Sequence, residues 1–271
     1  MIRNMTLGQY YPADSLIHRL DPRVKLLGTL LFVISLFFPR SVPGFVIATL
    51  FLVLVTHMSR VPVRLLVRGI RPLLLLIVFT ALVNLFSTPG KAVLTAGPFT
   101  ISREGVILSA FLVIRLIYLL AGSSVMTFTT TPNQLTAGLE KSLGFLTRLY
   151  LPVHEFALMM SIALRFIPIL TEELDKIMKA QMSRGMDFEE GSLMTRAKKL
   201  LPLLVPLFVS AVRRANELGT AMEARCYHGG EGRTRLHPLE YQKVDYLAYL
   251  LLTVYIVTMI FVSYLFPLYY Y

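Results

Sequence analysis

The sequence predicts an all-α, polytopic membrane fold: about five transmembrane helices plus two or three long amphipathic helices on the cytoplasmic side. Three observations carry this prediction. The chain is 55% hydrophobic and only 16% charged, well below the roughly 25% charge of soluble domains. Its mean hydropathy is +0.64. Its apolar residues fall into five runs long enough, or nearly so, to span a bilayer, at 24–38, 42–58, 72–87, 105–128 and 245–267. The segment between the last two runs, 131–243, is too long for a loop and has helical periodicity instead. The expected organisation is an N-terminal tail with four spans (1–130), the helical segment (131–243) and a last span (244–271).

The first apolar run follows a polar tail, GQYYPADS (8–15), so no cleavable signal peptide is expected. Runs one and two are separate, because FFPRSVPG (37–44) carries two prolines, a glycine and an arginine. Pro62 and Pro72 punctuate the approach to run three. Run four contains Arg115 in FLVIRLIYLL. If that run begins near Gly105, Arg115 lies about 15 Å along it, too deep for easy snorkelling. A charge at that depth costs about 3 kcal/mol or more, so it has either a working role or an internal partner that fixes packing.

In the long segment, TPNQLTAGLEKSL (131–143) begins with Thr131 as N-cap and Pro132 as first helical residue. A second pattern starts near 153, with an apolar stripe of Leu170, Leu174, Ile177, Met178 and Met182. DFEEGS (187–192) breaks it. A third runs from 193 to 225, with Leu204, Phe208, Ala211, Ala215, Leu218 and Met222 on one stripe. Pro168, Pro202 and Pro206 are expected to bend these helices. The second and third patterns each stop at an arginine between small residues: Ser183-Arg184-Gly185 and Ala224-Arg225-Cys226.

Basic residues set the orientation. Counting along the chain, the segments outside the spans hold 4, 1, 4, 2 and 15 Lys and Arg. That alternation places the N-terminus inside and the C-terminus outside the cytoplasmic membrane. It also accounts for the net charge of +11 without nucleic acid. The single cysteine, Cys226, excludes an internal disulfide. The sequence has no GxxxxGK[ST] loop, no GxSxG and no HExxH; HEFAL (154–158) fails at Leu158. His18, His57, His154, His228 and His237 are scattered, and HGGEG (228–232) reads as a helix exit. No catalytic, cofactor-binding or metal site is expected.

At these motifs the chain resembles a known family, the transmembrane T component of energy-coupling factor (ECF) transporters. The resemblance covers nearly the whole chain. It is carried by GQYYPADSLIHRLDPRVKL (8–26), TTTPNQL (129–135), IALRFIPIL (162–170), AQMSRG (180–185) and AMEARCY (221–227). It implies a non-catalytic subunit of an importer for vitamins or other micronutrients, held with two ABC ATPases that bind the ATP and with a substrate-binding membrane protein, the S component. It implies that the arginine tips of two coupling helices, Ser183, Arg184 and Gly185 on one and Ala224, Arg225 and Cys226 on the other, each dock into a groove of one ATPase. Ser183 and Cys226 depart from the family's commonest Ala-Arg-Gly tip, and both are small enough to keep the tip slim. Read without the resemblance, each arginine would complement a helix C-terminus, and lipid would be the only partner the spans demand. Two other functions compete: a permease subunit lining its own pathway, and a multispan membrane enzyme. The spans carry few polar residues, chiefly Arg115 and Asn84, and no paired catalytic groups, which disfavours both.

Overall fold

The computed structural model describes residues 10–39, 41–96, 99–145, 152–188, 190, 192–229 and 238–266. Arg40, His237 and the C-terminal tyrosines lie outside them. The described residues form ten α-helices, one 3-10 turn and a two-stranded hairpin. The contacts divide into two units: Gly8–Gly138 with Leu239–Tyr271, and Leu139–Pro238 with the first seven residues.

The first unit is built from α1 (Leu16–Arg19), α2 (Pro22–Ser35), α3 (Val42–Ser59), α4 (Val63–Ile70), a 3-10 turn (Arg71–Leu73), α5 (Leu74–Ser87), α6 (Arg103–Thr129), α10 (Lys243–Leu265) and the start of α7 (Pro132–Ser142), within which the division falls. Thr131 and Gln134 form the reciprocal cap that starts α7. Strands β1 (Ala92–Ala96) and β2 (Phe99–Ser102) pair antiparallel between α5 and α6, a small addition to the all-α plan. α6 packs against α2, α3, α4 and α5, and α10 closes on α2 and α3. Their core is Phe32, Leu36, Ala48, Leu252, Tyr255 and Met259. At Gly122 a Cβ would come within 2.5 Å of the Phe32 ring, so only glycine lets α6 approach α2 this closely.

Five described helices are long and apolar enough to cross a membrane: Val42–Ser59, Val63–Ser87, Arg103–Thr129, Val153–Ser183 and Lys243–Leu265. The number matches expectation, but the set differs. Run one is a 14-residue helix, α2, because its tail Leu36–Phe38 turns instead of continuing. At 1.5 Å per residue α2 covers about 21 Å, short of a ~30 Å hydrocarbon core. Run three gains the amphipathic α4, which runs through Arg71–Leu73 into α5. α8 (Val153–Ser183) enters the set because its stretch before Glu172 carries only two acidic or basic residues, Glu155 and Arg165, among apolar ones.

The two ends of the first unit are clasped together. The buried Asp245 carboxylate caps α10 by accepting from Gln242 N–H at 2.7 Å and also accepts from Asp21 N–H at 2.8 Å. Arg23 donates to Asp21 and to the Leu239 carbonyl, with its guanidinium 4.0 Å over the Tyr241 ring. Burial raises the Asp21 pKa, but the Arg23 hydrogen bonds outweigh it and hold the carboxyl below its usual value.

His18 fastens the N-terminal tail. Its Nε2 lies 2.9 Å from the Tyr11 carbonyl, which can only accept, so Nε2 carries the proton and Nδ1 accepts from Ser15 Oγ at 2.7 Å. Burial lowers the ring's pKa below the usual 6.5. The fold therefore prefers the neutral ring. Its stabilisation is complete above about pH 6.5 and is lost as pH falls through that value toward the folded pKa. We expect the thermal midpoint to drop on acidification from neutral to about pH 5, and less so in His18→Gln. Equal pH slopes in the two proteins would refute this.

The second unit contains α8 and α9 (Leu193–Ala224), packed on one another. Pro168 lies inside α8, and Pro202 and Pro206 lie inside α9.

Candidate functional site

Both arginine tips are ends of long helices. α8 has 31 residues and α9 has 32. Arg184 and Arg225 are their C-cap residues, with φ/ψ of −89°/10° and −97°/18°. After Arg184, Met186 N–H donates to the Gln181 carbonyl at 3.1 Å and Gly185 N–H to the Met182 carbonyl at 2.9 Å. After Arg225, Tyr227 N–H donates to the Met222 carbonyl at 3.0 Å and Cys226 N–H to the Glu223 carbonyl at 2.9 Å. These are the two crossed bonds of a Schellman motif, made identically twice. The motif satisfies the Gln181, Met182, Met222 and Glu223 carbonyls from the backbone, so neither guanidinium is needed to cap them. Ser183, Arg184, Gly185, Ala224, Arg225 and Cys226 are all exposed.

The residue after each arginine takes the left-handed conformation the motif requires: Gly185 at φ +86° and Cys226 at φ +55°. Small size alone was the expected demand at position 226. The structure adds a conformational one, which glycine meets freely and cysteine meets at a cost of about 1–2 kcal/mol. Cys226→Gly should therefore stabilise the last turn of α9 by about 1 kcal/mol, and Gly185→Ala should loosen that of α8 by a similar amount. Amide exchange at Met222–Tyr227 and Gln181–Met186 checks this. Unchanged protection in both variants would count against it.

Upstream, the helices meet through Arg214 of α9, whose NH2 group donates to Glu173 of α8 at 3.0 Å. The face of α9 that is buried carries Ser210 and Leu203, about one and about three turns before Arg214 on the same side. The predicted α9 stripe coincides with that face only in part: Ala211, Leu218 and Met222 are half-buried, whereas its other members are exposed. Leu204 and Phe208 are 55% and 70% exposed, and Leu201, Val205 and Val209 beside them are exposed too. An apolar surface along α9 is thus left uncovered by the described residues of its own unit.

Arg115 is distant in sequence from the tips and serves a different end. Its Nε donates to the Leu36 carbonyl at 2.9 Å and its NH2 to the Pro39 carbonyl at 3.1 Å. The rings of Phe37 and Phe45 lie 5.6 and 5.8 Å from the guanidinium carbon. Leu36 is the C-cap of the short α2. A helix that stops short leaves carbonyls at membrane depth, and Arg115 supplies donors to them. The early end of α2, invisible in the apolar run, is what explains the charge in α6.

Among the described residues, no three His, Cys, Asp or Glu come together to hold a metal ion. His154 lies 3.1 Å from Glu140 and His18 is engaged as described above.

The chain is similar to known transport proteins. Residues 13–236 match the CbiQ family, described as cobalt transport protein. The chain is 54% identical over 246 residues to the energy-coupling factor transporter transmembrane protein EcfT of Heliobacterium modesticaldum, covering 91% of this chain and 92% of that protein. It is 50% identical to the EcfT protein of Acidaminococcus fermentans (91% and 92% covered) and 46% identical to that of Bacillus subtilis (90% and 93%).

Proposed function

Because the chain belongs to the CbiQ family of transporter membrane proteins, we propose that it is the energy-transducing T component of an ECF-type importer. In this reading two ABC ATPases bind and hydrolyse ATP. Arg184 and Arg225 dock one into each ATPase, and an S component carries the vitamin or other micronutrient. The chain itself catalyses nothing and holds no cofactor.

The observation that carries the reading is the pair of matching tips. Both arginines are exposed at the end of a long helix closed by main-chain Schellman bonds. A planar guanidinium with five fixed donors suits carboxylates or carbonyls in a groove, and small neighbours let it enter. An ATPase pair offers two equivalent grooves, which matches two equivalent tips. The exposed apolar face of α9 is then the seat for the S component, and its Met, Leu and Val side chains can repack as that partner moves.

Purification of the tagged chain from its native membranes tests the assembly. Two ABC ATPases and a small membrane protein should accompany it. Recovery of a transport-competent chain without ATPases would overturn the reading.

The proposed orientation keeps the N-terminus and 131–243 inside and the C-terminus outside. It counts the short α2 as a crossing and α8 as cytoplasmic. In a Cys226→Ser background, a cysteine at position 190 should react only with reagents that reach the cytoplasm. Labelling from outside would reverse this topology.

A further inference from the structure

The contact between α8 and α9 has a regularity that the tips alone do not require. Glu173 and Arg214 are the ion pair joining the two helices. From Glu173 to Arg184 is eleven residues, and from Arg214 to Arg225 is also eleven. Both stretches are uninterrupted helix up to the C-cap. At 1.5 Å per residue each arginine therefore stands about 16 Å beyond the shared contact. The two arms of the fork are equal, and the ion pair sits at their junction.

The pair is also incompletely used. One bond is made, from Arg214 NH2 to Glu173 Oε2. Arg214 Nε is buried without a partner, and so is the hydroxyl of Ser210, one turn back on the same face. The second Glu173 oxygen has no bond among the described residues. Buried donors without acceptors are rare and costly, so they call for an explanation. An arginine that grips a carboxylate through NH2 alone can also grip it through Nε and NH2 together. The spare donors and the spare oxygen let the pair re-form as one helix rotates on the other, without ever leaving a charge alone.

We propose that Glu173 and Arg214 form a pivot that holds the two arms of the fork at equal length and stays paired while the angle between them changes. This rests on the docking of the arginine tips to ATPases. Neither residue touches an ATPase in this account. They are positioning residues, and what they position is the pair of arginines that receive the partners' motion. Ser210 packs the same face of α9 beside the pair, whose side chains remain 33% and 26% exposed.

The test uses the full-length chain with Cys226→Ser and spin labels at Met186→Cys and His228→Cys, one beyond each tip. The distance between the labels should show one narrow distribution. Glu173→Arg and Arg214→Glu should each broaden or shift it, because like charges then face each other. The exchange Glu173→Arg with Arg214→Glu should restore it. In membranes holding the complete transporter, with Cys226 and the tip residues left unchanged, each single reversal should retain the ATPases, since the tips are intact. Uptake per ATP hydrolysed should fall several-fold and recover in the exchange. An unchanged distance in the single variants, or no recovery in the exchange, overturns the pivot. A changed distance with undiminished uptake per ATP overturns its role in coupling. If the parent chain retains no ATPase, the docking reading fails, and the distances still decide whether the pair sets the fork.

Discussion

Arg115→Leu is expected to lose folded protein. The substitution leaves the Leu36 and Pro39 carbonyls without their donors, 2.9 and 3.1 Å from where the guanidinium sits. A buried polar group stripped of its partner costs about 1–3 kcal/mol, and here there are two. Water cannot replace the donors at membrane depth. Removal of a buried charge offsets part of the loss, since a charge inside the hydrocarbon itself costs about 3 kcal/mol. A net destabilisation of about 1–4 kcal/mol remains. That is a large share of the 5–15 kcal/mol that keeps a typical protein folded. Arg115→Lys should retain part of the stability, because a compact ammonium keeps the charge but lacks the planar fork that reaches two carbonyls. The thermal midpoint in detergent and the folded yield from membranes measure both. A leucine variant with the parent's midpoint would show that the end of α2 needs no donor from α6.

How far the sequence could take the reader depends on what kind of signal each feature leaves. The helices of the second unit were legible nearly to the residue. Their boundaries are written in local chemistry: Pro152 and Ser192 before them, and small-Arg-small tips at their ends. The α7 cap is a four-residue pattern and could be read directly. Membrane-crossing segments were legible as apolar runs, but not the end of α2. Leu36, Phe37 and Phe38 are as apolar as the residues before them, and hydropathy cannot tell a turn of phenylalanines from a helix of them. The role of Arg115 was hidden for the same reason, because its partners are main-chain carbonyls that no residue type marks.

Tertiary pairings were hidden more thoroughly. Asp245 joins Asp21 across most of the chain's length. Glu173 and Arg214 each look like an ordinary solvated charge on the polar side of a stripe. The α9 stripe misled in an instructive way. Its period was right and Ala211, Leu218 and Met222 are half-buried, yet the structure buries Leu203 and Ser210 and leaves Leu204 and Phe208 outside. Periodicity finds an apolar face but not which partner covers it. For Cys226, residue size was the visible property and φ was the decisive one.

The arginine tips carry the second large effect. On the docking proposal each guanidinium becomes partly desolvated in an ATPase groove. Truncating one member of a buried, hydrogen-bonded charge pair at an interface costs about 2–5 kcal/mol. Arg184→Ala or Arg225→Ala should each weaken ATPase association by at least tenfold, about 1.4 kcal/mol, even if the remaining tip tethers the complex. With both removed the tether is gone, and the two losses compound. The helices should stay folded, because the Schellman bonds are main-chain and both side chains are exposed. Lysine at either position should restore binding only in part.

The double variant Arg184→Ala with Arg225→Ala therefore gives the most direct measurement. It is expressed with its partners, the chain is purified from membranes at parental protein level, and the ATPases that accompany it are quantified. The account predicts that they are lost while the chain remains folded. Retention of both ATPases at the parental ratio would contradict it and make the two tips ordinary helix ends.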